Sequence, residues 1–125
     1  MTLLLDAGAF IAFERGSRVV QAFLERAQRG GEPVRTTAGV VAQVWRRPAA
    51  QATLSRLLRG IEELPLESSG ARRTGVLLGV AKRTDVVDGS LVDAARDGDE
   101  ILTSDPGDLV ALARAAGKTL LVTRI

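Results

Sequence analysis

Leu3-Leu4-Leu5-Asp6-Ala7-Gly8-Ala9-Phe10-Ile11-Ala12 opens the chain with an apolar run, an acid, a pair of small residues, and then apolar residues at helical spacing. Thr2–Leu5 reads as a first strand, which places Asp6 just past its carboxyl end. An acid after three leucines is either the N-cap of the next helix or a buried group with chemical work, and both readings stand for Asp6. Outward from this stretch, Ala9–Phe13 and Val19–Ala27 carry helical spacing, and Gly30-Gly31 stops the second helix. Pro33–Thr36 reads as a strand, Ala38–Arg46 as an apolar helix leading to Pro48, and Pro48–Arg59 as a helix with Gly60 at its C-cap. Ile61–Leu66 reads as a strand and Ser68–Lys82 as a helix. Asp85–Arg96 is a further helix ended by Gly98, Glu100–Thr103 a strand, Pro106–Ala116 a helix ended by Gly117, and Thr119–Arg124 a last strand. Strands that alternate with helices predict an α/β fold, a mostly parallel sheet of about five strands flanked by helices on both faces.

The 125 residues suit one domain, 1–125, with no linker, repeat or low-complexity stretch. Hydrophobic residues at 46% and charged residues at 26% fit a globular protein. The apolar runs Val76–Ala81 and Leu120–Val122 are too short to cross a bilayer. Met1-Thr2-Leu3-Leu4-Leu5 lacks the basic start and long apolar core of a signal peptide, so a cytoplasmic location is expected. The pI near 9.9 overstates a net charge of only +2, because no His or Tyr titrates between the carboxylates and lysine. Lys82 and Lys118 are the only lysines; nearly all positive charge is arginine, the better partner for phosphate.

The absences carry more weight than the charge. Without Cys there are no disulfides, thiolate nucleophiles or ordinary structural zinc sites. Without His there is no Ser-His triad, no imidazole ligand and no imidazole acid or base. Carboxylates holding a hard cation are the leading chemistry left. Working residues of a parallel sheet gather beyond the carboxyl ends of its strands, where Asp6 and Asp105 fall. Asp85 and Asp88, three apart at the start of a helix, share a face, whereas Asp93 turns away. Asp97, Asp99 and Glu100 are expected to crowd a surface turn. Capping competes at each position: Asp85 follows Thr84 as a natural N-cap, Asp105-Pro106 is a common helix start, and Asp108 suits a first helical turn. Two carboxylates ~5 Å apart repel by roughly 3 kcal/mol at an effective dielectric of ~20. Such a cluster either binds a cation or holds a proton.

At these residues the chain resembles the PIN-domain family, in particular the VapC-type toxins. The opening Leu3–Ala12 is similar to the family's first motif, Asp85-Val86-Val87-Asp88-Gly89-Ser90-Leu91-Val92 to its third acidic motif, and Ile101-Leu102-Thr103-Ser104-Asp105-Pro106-Gly107-Asp108-Leu109 to its fourth. Order, spacing and length agree over nearly the whole chain. The departure is in Thr36-Thr37-Ala38-Gly39-Val40-Val41-Ala42-Gln43-Val44-Trp45-Arg46, where Gln43 stands at the position of a usual glutamate. The resemblance implies a three-layer α/β/α domain and a Mg²⁺- or Mn²⁺-dependent endoribonuclease. Asp6, Asp88 and Asp105 would be its catalytic acids and metal ligands, and Gln43 a neutral member of the site. Asp85, on the face of Asp88, is a candidate further metal ligand that makes up the charge missing at Gln43. The resemblance also implies a homodimer, a small antitoxin as partner and RNA as substrate.

Arg15, Arg46, Arg47 and Arg83 are candidates for phosphate contact, with a solvated face as the plain alternative. Phe10, Phe13, Phe23 and Trp45 are expected mainly as core, with an antitoxin groove as the other reading. A haloacid-dehalogenase phosphatase would want a second acid where Gly8 stands, and a receiver domain an aspartate where Leu66-Glu67 falls. The remaining rival is a catalytically weakened PIN-like module that binds RNA or protein without cutting.

Overall fold

The computed structural model covers residues 1–125. Five strands, β1 (Leu3–Leu5), β2 (Val34–Thr37), β3 (Glu62–Leu64), β4 (Glu100–Thr103) and β5 (Leu121–Arg124), form one sheet in the order β3-β2-β1-β4-β5. Every neighbouring pair is parallel, with Leu3 opposite Val34 on one side and Glu100 on the other. The α-helices are α1 (Ala7–Glu14), α2 (Arg18–Arg29), α3 (Ala38–Val44), α4 (Ala52–Arg59), α5 (Ser68–Ala81), α6 (Val86–Ala94) and α7 (Gly107–Ala116). None is long and apolar enough to cross a membrane.

Alternation along β1 explains why three successive leucines serve a strand. Leu3 and Leu5 point into one core with Phe10, Val40, Leu54 and Leu102, covered by α1–α4. Leu4 points the other way, into a second core with Leu77, Leu91, Ile101, Leu109 and Leu112, covered by α5–α7. Both faces of the central strand are therefore dry, as a parallel sheet requires. Each leucine taken fully out of water contributes roughly 1.5–3 kcal/mol. The expected three-layer α/β/α architecture is what the chain adopts. Phe10 is fully buried, Phe23 and Trp45 pack against the same core from its edge, and Phe13 is half-buried.

Two local expectations change. Pro48–Arg59 is a short 3₁₀ turn at Pro48–Ala50 followed by α4, because the buried Gln51 amide takes over the hydrogen bonds at the junction. Its oxygen accepts the N–H groups of Arg46 and Arg47 at 2.8 and 2.9 Å, and its nitrogen donates to the Val44 carbonyl at 2.8 Å. Asp99 and Glu100 are not at the surface either: they are 6% and 2% exposed. Asp99 accepts the Thr2 and Arg96 N–H groups, which ties the loop before β4 to the start of β1. Glu100 accepts from the Arg26 guanidinium and the Thr123 hydroxyl, each at 2.6 Å, and the same guanidinium lies over the Phe23 ring. A buried carboxylate needs such partners to offset its lost hydration.

Candidate functional site

The chain leaves β1 for β2 and β3 on one side, then crosses to β4 and β5 on the other. The switch point of the sheet therefore lies beyond the carboxyl ends of β1 and β4, where open α/β sheets form their crevices. Asp6 follows β1 directly, and Ser104 and Asp105 follow β4. The Asp6 N–H donates to the Leu102 carbonyl, which pins the two strand ends together. Asp6 also caps α1, its carboxylate accepting the Ala9 N–H at 2.9 Å. The cap reading and the site reading of Asp6 are thus compatible, since a carboxylate offers more lone pairs than the cap uses.

Burial raises the pKa of Asp6, opposed by the Thr103 hydroxyl and the N–H groups of Ala9 and Gly8, while the charge of Asp105 adds to the rise. Thr103 is fully buried and accepts the Asp105 N–H at 3.0 Å, so one hydroxyl touches both strand-end acids. Asp105 does not cap α7 as its place before Pro106 suggests. The helix begins one residue later than expected, at Gly107, with no side chain on its first amides. The Asp105 carboxylate is exposed and makes no hydrogen bond within the protein, which leaves it free for other work.

Asp85 and Asp88 arrive from α6. Asp85 caps the helix through the Asp88 N–H at 3.0 Å, as its sequence position suggests. Asp88, half-buried in the first turn, has its pKa pushed up to about 6, first by burial and then by the charges of Asp85, Asp6, Asp108 and Asp105. Acids separated by about eighty residues along the chain therefore act on one carboxyl group. The first-turn position favours a negative charge by up to ~1 kcal/mol, yet burial and repulsion outweigh it. Asp108 is the member that spacing did not single out. It stands in the first turn of α7 and pairs with the Arg83 guanidinium at 3.1 Å, an exposed contact that moderates the local negative charge.

Gln43 sits in the last turn of α3, exposed, and its amide makes no hydrogen bond within the protein. Among the arginines, Arg83 is held by Asp108, and Arg46 turns back on the carbonyls of Ala42 and Trp45. Arg15 and Arg47 are exposed and take part in none of the salt bridges. Gly8 is required by packing, because a Cβ there would run into the Ser104 side chain, and this close approach presses the β4–α7 loop against the first turn of α1.

As they stand, no three acidic side chains are gathered closely enough to cage a metal ion. Magnesium does not ask for such a cage: it keeps several waters and takes one or two protein carboxylates. Asp6 and Asp88, both favoured toward the protonated form by burial and by neighbouring acids, are the donor chemistry that a divalent cation would relieve.

The architecture matches a solved one. Over 98% of this chain and 99% of the other, it superposes with a TM-score of 0.73 on a chain of the crystal structure of VapBC2 from Rickettsia felis bound to a DNA fragment from their promoter. The fold is PIN-like. Identity between the two chains is 12%, so the likeness is one of fold. No family model matches the sequence, and neither does any curated protein. In this PIN-like frame, the acids expected at the site all stand on the carboxyl side of the sheet's central strands or on the helix starts beside them.

Proposed function

We propose that the protein is a Mg²⁺- or Mn²⁺-dependent endoribonuclease, the toxin component of a VapBC-type module in the cytoplasm. The observation that carries this reading is the convergence on Asp88 of Asp6, Asp85, Asp105 and Asp108, in a chain whose composition leaves carboxylates as its main catalytic groups. Asp6 and Asp88 would hold the cation, with Asp85 contributing charge where Gln43 offers none. When bound, the cation supplies an acidified water and offsets charge on the attacked phosphate. Asp105, uncommitted and exposed, would join them as a ligand or orient the attacking water. Thr103 keeps Asp6 and the Asp105 backbone in register, and the Asp6 cap fixes that carboxylate against α1. An antitoxin partner is inferred from the fold shared with VapBC2, and a homodimer from Val76 and Val80, exposed one turn apart on α5.

The test is cleavage of a mixed RNA pool by protein freed of any partner, in Mn²⁺ or Mg²⁺, with and without EDTA. The parent cuts only with metal. Asp6→Asn keeps the helix cap, since Asn caps as well as Asp, and loses cutting. An Asp6→Asn protein as active as the parent would reveal a contaminant. The second reading, a PIN-like module that binds RNA or protein without cutting, draws on the neutral, unpaired Gln43. Absence of any metal-dependent cleavage decides for it.

A further inference from the structure

Beside the acids lies a cleft of about 420 Å³ lined by Gly8, Ile11, Ala12, Arg15, Ser17 and Ser104. It begins at Gly8 and Ser104, which neighbour Asp6 and Asp105 in the chain, and follows one face of α1, where Gly8, Ile11, Ala12 and Arg15 recur at helical spacing. Arg15 lines it too, and none of the four salt bridges uses its guanidinium. Its wall includes the Ile11 side chain, an apolar group left 40% exposed. The Ser104 hydroxyl, brought in by the close approach to Gly8, adds a donor at the near end.

We infer that this cleft is the subsite for the nucleotide next to the scissile bond, with Arg15 on its phosphate, Ile11 against its sugar or base and Ser104 on the edge nearest the cut. The inference rests on the reading of the acidic site as an RNA-cleaving one. Its logic is electrostatic. A strand crossing a cluster of aspartates is repelled wherever a cation is absent, so the adjoining phosphate needs a fixed positive charge close by. Arg83 is held by Asp108; Arg15 and Arg47 enter no salt bridge, and of the arginines only Arg15 lines the cleft. Arginine matches phosphate with paired donors, and an apolar wall suits the flat face of a sugar or base.

The measurement is fluorescence anisotropy with a short labelled single-stranded RNA in a cleavage-dead Asp6→Asn background, joined to steady-state cleavage in the active one. Arg15→Glu is expected to raise Kd and KM about tenfold while kcat stays near the parent value. Arg15→Ala lowers the slope of log K against log salt by about 0.7, the value for one single-strand phosphate contact. Both effects vanish with RNA that carries an uncharged methylphosphonate in place of that one adjoining phosphate. Arg59→Glu, the same charge change at the exposed end of α4, behaves as the parent does. A parent that cuts while Arg15→Glu matches it in Kd, KM and salt slope overturns the subsite alone. A parent that neither binds nor cuts RNA overturns the ribonuclease reading and the subsite with it.

Discussion

Replacing Asp88 with Asn should make the metal-free protein more stable. The Asp88 carboxyl ionises near 6 in the fold, against an ordinary 3.8, chiefly through burial and then through Asp85, Asp6, Asp108 and Asp105. Taken at face value, that difference is at most about 3 kcal/mol. Asp88 is only half-buried, so water screens much of it, and about 1 kcal/mol is the reasonable expectation. Its side chain makes no hydrogen bond in the fold, and the N–H that Asp85 accepts belongs to the backbone, so Asn loses no partner. For a chain of this length, ~1 kcal/mol corresponds to a rise in Tm of about 3–5 °C. The pH dependence follows from the sign of the shift. Above about pH 6 the carboxyl is ionised in both states and the penalty is complete. As pH falls through the window from about 6 to 3.8 the folded protein takes up the proton first, and below it the advantage of Asn is gone. Thermal denaturation in EDTA across pH 3.5–8 measures this, and Mg²⁺ at a hundred times its Kd should then stabilise the parent by about 2.7 kcal/mol and the variant by less. An Asn variant less stable than its parent at pH 8 in EDTA, or a gap that ignores pH, refutes the reasoning.

Arg26→Met leaves the Glu100 carboxylate, 3% exposed, without its cation, and should cost about 2–3 kcal/mol in urea denaturation, discounted because Arg26 itself is half exposed. Adding Glu100→Leu in the same chain should recover most of that loss, whereas an equal or greater loss in the double variant would deny the pair its role. Gln43→Glu should tighten Mn²⁺ binding several-fold by titration calorimetry, since the added charge is available to the cation. Asp85→Asn should weaken the binding sharply, and unchanged affinity in that variant would sink the idea that Asp85 makes up the missing charge.

Most of the fold was legible because its signals are local. The leucines of β1, the helical spacing of the α2 and α4 apolar faces, and the glycines after α2 and α7 each act within a few residues. Asp6 and Asp85 were legible as caps for the same reason. Asp105 misled, because Asp-Pro commonly starts a helix, whereas here its N–H is taken by Thr103 and the helix begins at Gly107. Glu100 misled in the other direction: three acids in four residues look solvated, and nothing near them in sequence announces Arg26, seventy-four residues away.

By itself, the sequence determined the alternation of strands and helices, the small stock of catalytic groups and the placing of an acid after each of two strands. Hydropathy, capping and composition need only neighbours along the chain. Tertiary structure alone decided that β1 and β4 lie side by side, that Asp88 feels acids from two other segments, and that Arg15 stays free while Arg83 is held. Those outcomes depend on through-space electrostatics and on which groups lose their water, and both follow from the strand order rather than from any stretch of sequence.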